Sequence, residues 1–73
     1  MSKTIYTKGH KELVKKLIEA RKKRGLRQED AAKLLKKTQS YISKIEAGQR
    51  RIDLIQLKEF ARIYKKDLSF FTE

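Results

Sequence analysis

The sequence predicts an all-α domain of five short helices, and three observations support this fold class. The 73 residues include no proline and only three glycines, so few positions break a helix. Strong helix formers predominate, and runs of β-branched residues, which would indicate strands, are absent. Apolar residues recur at helical spacing along most of the chain. A chain of this length forms a single domain with a small core.

The first helix is predicted over residues 10–24. Its apolar stripe consists of Leu13, Val14, Leu17, Ile18 and Ala20. Basic residues fill its last turn, where they favour the helix dipole, and Gly25 supplies a C-terminal cap. Residues 1–8 show no helical period. We therefore expect a flexible N-terminal arm over residues 1–8 and one domain over residues 9–73.

Two short helices are predicted next, separated by a break at residues 36–37. The earlier one covers residues 28–35 and begins with two acids in its first turn. Its inner face consists of Ala31, Ala32, Leu34 and Leu35. Thr38 is a suitable N-cap for the later helix, which covers residues 39–47 and ends at Gly48.

The last part of the chain predicts a fourth helix and a short fifth helix or turn. After the polar loop of residues 49–51, Asp53 can cap a helix that reaches about Tyr64. Its apolar stripe consists of Leu54, Leu57, Phe60, Ala61 and Tyr64. Residues 68–71 then close the core, or leave one phenylalanine exposed for a two-fold interface.

The composition argues against several classes of protein. No cysteine is present, which excludes disulfides and thiolate metal sites, and the single histidine, His10, argues against a zinc site. The sequence has no set of side chains suited to catalysis, so we predict neither an enzyme nor a cofactor. No apolar run approaches the roughly 20 residues that a membrane span needs, and no signal-peptide core is present. We expect a soluble cytoplasmic protein.

Positive charge is concentrated in the first two thirds of the chain. Twenty basic and nine acidic residues give a net charge of +11. The net charge is +8 over residues 1–27, +3 over residues 28–51 and zero over residues 52–73. This asymmetry indicates a one-sided basic surface that faces a polyanion such as nucleic acid. A well-solvated, lysine-rich helical surface is the alternative explanation.

The third predicted helix has two chemically different faces. Tyr41, Ile42 and Ile45 share the face that should pack inward. The opposite face carries Gln39, Ser40, Ser43, Lys44 and Ala47. Amide, hydroxyl and ammonium groups of this kind suit the edges of DNA bases, and this face contains no acid to repel phosphates. An ordinary solvent-exposed face would also be polar, so the pattern alone leaves both interpretations open.

Residues 13–71 resemble the XRE family of Cro- and phage-repressor-like helix-turn-helix proteins. The resemblance is carried by three segments: RKKRGLRQEDAAKLL, TQSYISKIEAGQRR and LKEFARIYKKDLSFF. It implies a lambda-repressor-like fold and a transcriptional regulator, expected to be a repressor, that binds double-stranded DNA. Helix 39–47 would then lie in the major groove, and a homodimer would bind an inverted-repeat operator.

The resemblance also implies roles for individual residues. Base reading falls on Gln39, Ser40, Ser43 and Lys44. Contacts to the DNA backbone fall on Gln28, Thr38, Arg50 and Arg51, with Arg27, Lys37 and the hydroxyl of Tyr41 as further candidates. A structural ion pair is expected between Arg21 and Glu46, which would hold the reading helix against the first helix.

The turn before the third helix departs from the family pattern. The family has glycine followed by an apolar residue there, whereas this chain has Lys36 and Lys37. A left-handed backbone at Lys36 would cost about 1 kcal/mol relative to glycine. Lys37 gives up a core side chain and becomes a candidate for a phosphate contact.

Three other functions compete with a stand-alone regulator. The domain could be the DNA-binding antitoxin of a toxin–antitoxin pair, with a toxin as its protein partner. It could use the same fold to bridge transcription factors, without reading DNA itself. A membrane-surface peptide is supported only by charge, because one shared core explains the apolar stripes better.

Overall fold

A computed structural model describes residues 8–72, which form five α-helices and no strand. The helices are α1 (Lys8–Lys23), α2 (Gln28–Leu35), α3 (Gln39–Glu46), α4 (Leu54–Tyr64) and α5 (Leu68–Thr72). The predicted all-α fold class of five short helices is confirmed. Within the described part of the chain, no helix is long and apolar enough to cross a membrane. The arm expected over residues 1–8 lies outside the described residues, apart from Lys8, which begins α1.

One apolar core joins all five helices. Its four largest fully buried side chains are Leu17, Ile42, Ile45 and Phe60. Two of these, Ile42 and Ile45, anchor the inner face of α3. Small side chains on α2 allow the close approach of α2 and α3, since Ala31 and Ala32 are both buried at their contact. The inner face of α3 is therefore fixed by packing.

Two leucines that were expected in the core are exposed instead. Leu34 is 49% exposed and Leu54 is 56% exposed. In α2 the buried face centres on the two alanines, and Leu34 lies roughly 100° away from that centre at 100° per residue. Leu54 is the first residue of α4, on the margin of its buried face. Near the other end of that helix Ile63 is 5% exposed and belongs to the core, which the predicted stripe omitted.

The C-terminal phenylalanines close the core. Phe71 is buried, and Phe70 packs edge-on against it with ring centroids 5.1 Å apart. The exposed large apolar side chains of the described residues are Leu34, Leu54 and Ile55. The two-fold apolar patch considered for α5 is therefore not present at Phe71.

Candidate nucleic-acid interface

The helix α3 begins with a capped turn. Thr38 has an extended backbone, and its hydroxyl oxygen accepts a hydrogen bond of 3.1 Å from the Tyr41 backbone N–H, as expected of an N-cap. The side chains expected to read bases are all exposed, as is Ala47 beside them: Gln39, Ser40, Ser43 and Lys44. The helix therefore presents an acid-free polar face to solvent.

The turn between α2 and α3 is left-handed at Lys36, so the lysine adopts the backbone conformation that glycine favours. This lysine has φ 58° and ψ 42°, and it caps the C-terminus of α2. The backbone N–H of Lys37 donates to the carbonyl of Ala32 at 2.8 Å, which completes a Schellman-type ending. Lys36 therefore places a side chain at a position where glycine is usual.

Beside this turn lies a basic concavity, which we call the Tyr41 cradle. It has a volume of about 470 Å³ and is lined by Lys36, Lys37, Thr38, Ser40, Tyr41, Lys44 and Arg50. Four of these seven residues are cationic and none is acidic. Lys37 Nζ and Arg50 Cζ each lie 5.4 Å from the centroid of the Tyr41 ring, within cation–π range. Both positive groups are thus in contact with the same aromatic ring.

The Tyr41 ring is itself held from α4. Asp53 and Gln56 form a reciprocal capping box, in which each side chain accepts from the other residue's backbone N–H. Gln56 Nε2 also donates a 2.9 Å hydrogen bond to the Tyr41 hydroxyl oxygen. The phenol proton remains available to an acceptor outside the protein. The capping box could be found from the sequence, but its link to Tyr41 depends on tertiary structure.

A buried ion pair fixes the other end of α3. Arg21 Nε donates to Glu46 Oε2 at 2.7 Å, and Arg21 Nη2 donates to Glu46 Oε1 at 3.0 Å. The two side chains are 11% and 7% exposed. The hydrogen bonds that Arg21 donates to Glu46 raise the pKa of Arg21 above its ordinary value. Burial, with a contribution from the charge of Glu46, likewise raises the pKa of the Tyr64 phenol.

Two residues expected on the DNA backbone have protein partners at the start of α2. Gln28 Nε2 donates to Glu46 Oε1 at 3.0 Å, so its amide joins the Arg21–Glu46 ion pair. Arg27 binds Asp30 with Nε 3.1 Å from the carboxylate, and it also lies 3.4 Å from Glu29. Hydrogen bonds from Arg27 lower the pKa of Asp30. The positive charge of Arg27 is therefore offset by two acids of its own helix.

The structure divides the other nine residues predicted to contact DNA into two sets. The cradle brings together six of them: Lys37, Thr38, Ser40, Tyr41, Lys44 and Arg50. Gln39, Ser43 and Arg51 are exposed outside the cradle. Lys36 was treated only as a turn residue in the sequence, yet it lines the cradle. The one feature of the sequence that singled out Lys36 was that it replaces the family's glycine.

Comparison with known proteins gives one family. A family model described as helix-turn-helix matches residues 17–71, about three quarters of the chain. The match covers the whole of α2, α3 and α4 and part of α1. No individual curated protein matches the sequence significantly.

Proposed function

This chain belongs to the XRE and Cro-repressor-like family of helix-turn-helix proteins, and we propose that it is a transcriptional repressor that binds double-stranded DNA sequence-specifically. The observation that carries the proposal is the exposed, acid-free face of α3 next to the Tyr41 cradle. Base-reading groups and phosphate-binding groups thereby lie on adjoining surfaces. Such a surface fits a major groove and the backbone that borders it.

The exposed face of α3 supplies the base contacts in this proposal. Gln39 has an amide suited to adenine, and Lys44 has an ammonium suited to guanine. Ser43 lies between them and can bond to several bases. Glu46, the acid of this helix, is 7% exposed in its side chain and bonded to Arg21, so it does not repel the DNA.

Backbone contacts in this proposal come from the cradle. Lys36, Lys37 and Arg50 would lie against phosphates, where they fix the register of α3 without selecting a sequence. Each phosphate that they neutralise releases counterions, so the observed affinity should fall steeply with salt. A weak salt dependence would contradict this mechanism.

A homodimer on an inverted repeat is the expected assembly. The reading helix has only eight residues, and a single helix of this length contacts few base pairs. Two half-sites are therefore needed for useful discrimination within a genome. Their centres should lie about one helical turn, roughly 34 Å, apart.

Selection of bound duplexes from a randomised DNA pool, at near-physiological salt, tests the proposed function. We expect enrichment of one inverted repeat. A matched variant, Gln39→Ala/Lys44→Ala, should lose preference at the bases that those side chains contact while it keeps non-specific binding. Absence of enrichment with the natural sequence, together with binding that disappears as salt rises, would reduce the basic surface to a non-specific polyanion contact.

A further inference from the structure

The Tyr41 cradle gathers its positive charge around one concavity and contains no acid. Four cations line it, whereas a phosphodiester carries a single negative charge. We propose that the cradle binds small soluble molecules that carry a diphosphate group, and that such an anion competes there with a phosphate of DNA. The competition rests on the proposed function, but the anion site does not.

The chemistry of the lining matches a diphosphate. A phosphate monoester group carries about −1.5 to −2 charges at neutral pH, so two linked phosphates balance several cations at once. Arg50 offers a planar fork of donors, and Lys44 and Lys36 act as point charges. The hydroxyl of Ser40 adds a neutral donor at the same wall. Phosphate oxygens accept from all of these groups.

The charged groups converge before any ligand binds. The Tyr41 ring holds Lys37 and Arg50 at equal distances of 5.4 Å, and Gln56 holds the ring through its hydroxyl. The left-handed backbone fixes where the Lys36 side chain leaves the turn. Because Tyr41 already contacts Lys37 and Arg50, less ordering cost is paid for these two side chains when an anion enters.

The chain provides a matched control in its second lysine pair. Lys65 has the same left-handed backbone as Lys36, with φ 56° and ψ 49°. Lys66 lies 4.8 Å from the Phe70 ring centroid, as Lys37 lies over Tyr41. Both lysines of this second pair lie outside the cradle. Left-handed strain and a lysine over an aromatic ring are therefore common to both turns. Only in the cradle do the two lysines of the turn line the same concavity as Lys44 and Arg50.

Titration of the free protein with inorganic pyrophosphate, followed by backbone amide NMR at constant ionic strength, tests the anion site. We expect saturable shifts confined to residues 36–44 and to Arg50. Lys36→Gln/Lys37→Gln should weaken pyrophosphate binding about tenfold, the effect of two surface charge contacts, whereas Lys65→Gln/Lys66→Gln should leave it unchanged. Non-saturating shifts spread over the exposed lysines, or equal losses in both double variants, would overturn the proposal.

Addition of a DNA duplex to the pyrophosphate complex tests the competition. The selected operator should displace pyrophosphate from residues 36–44. A duplex that binds while pyrophosphate stays in place would overturn the shared site, although the proposed DNA-binding function would stand. Saturable pyrophosphate binding without any duplex binding would contradict the proposed function and support the anion site alone.

Discussion

Two turns of this protein share a pair of lysines and the same left-handed backbone, yet they lead to different surfaces. In one, Ala32 is followed four residues later by left-handed Lys36, and in the other Ala61 is followed four residues later by left-handed Lys65. The next lysine N–H donates back to the alanine carbonyl at 2.8 Å in the first turn and 3.0 Å in the second. Each turn also places a lysine over an aromatic ring four residues on.

The two turns differ in the residues from other parts of the chain that pack beside them. At the first turn, Arg50 comes from the loop after α3 and Gln56 from α4, and both meet Tyr41. At the second turn the ring is Phe70, which packs edge-on against buried Phe71. A local motif therefore sets the backbone, and distant residues decide whether it forms a charged cradle or closes the core.

The largest expected effect comes from the Arg21–Glu46 ion pair, which anchors α3, the helix after the first turn. Glu46→Ala leaves the buried guanidinium of Arg21 uncompensated and removes the partner of Gln28. We expect the free energy of unfolding to fall by about 3–5 kcal/mol, measured by urea denaturation. In α5, the helix after the second turn, the corresponding anchor is the apolar packing of Phe71.

An exposed pair serves as the control for this change. Glu19 lies 3.9 Å from Lys23, and both side chains are more than half exposed. Glu19→Ala should change stability by at most about 1 kcal/mol. Unchanged stability in Glu46→Ala, together with an altered DNA preference, would show that Glu46 acts at the DNA and not in the scaffold.

The next effect separates the two turns by charge. Lys36→Gln/Lys37→Gln should reduce the slope of log affinity against log salt by about 1.8 for each protomer on the DNA, because each lost phosphate contact is worth about 0.9. Extrapolated from equal affinity at about 1 M salt, this is about thirtyfold weaker DNA binding per protomer at about 0.15 M salt. Lys65→Gln/Lys66→Gln should keep the original slope. Equal losses in both variants would mean that net charge alone, rather than the cradle, determines binding.

A smaller effect separates the two turns by strain. Lys36→Gly and Lys65→Gly each relieve a left-handed backbone, and each should stabilise the protein by about 0.5–1 kcal/mol after the added unfolded-state entropy of glycine. Thermal unfolding should show similar gains for both. DNA affinity should fall about fivefold per protomer for Lys36→Gly alone, because only that variant loses a phosphate contact. A gain in affinity for Lys36→Gly would show that strain limits binding more than charge helps it.

The elements of this fold were predictable because their signals are local. Caps at Thr38 and Asp53, apolar periodicity and the glycines set the helix boundaries to within about two residues. The exposure of Leu34 was not predictable in the same way, because an eight-residue helix can bury several alternative faces. Which face it buries is decided by the partner helix.

The site was predictable only in part, for the same physical reason. Residues on one face of α3 follow from helical spacing, so the exposure of Gln39 and Lys44 could be foreseen. The hydrogen bond from Gln56 to Tyr41 and that from Gln28 to Glu46 join residues 15 and 18 positions apart. No periodicity within one element encodes such contacts, and the resemblance that implied the Arg21–Glu46 pair did not imply them.

The smallest expected effect is a pH dependence at the start of α2, the helix that leads into the first turn. The pKa of Asp30 is lowered, first by the side-chain hydrogen bond from Arg27 and then by the Arg27 backbone N–H. A carboxylate with a lowered pKa in the folded state stabilises the protein above the ordinary aspartate pKa of about 4. That contribution is lost as the pH falls through the lowered value. Asp30→Asn should therefore have a lower urea midpoint than the natural sequence at pH 7, and the two midpoints should converge in acid.

Arg27→Gln tests the assigned cause of this dependence. Without the guanidinium, only the backbone N–H of residue 27 continues to favour the charged form of Asp30. The loss of urea midpoint that Asp30→Asn causes at pH 7 should then be smaller in the Arg27→Gln background, with the same sign. A loss that is as large with Gln at position 27 would assign the effect to the capping hydrogen bond and the dipole of α2, both of which exist without the charge of Arg27. In that case the terminus of α2, and not an ion pair, would make the stability of this helix depend on pH.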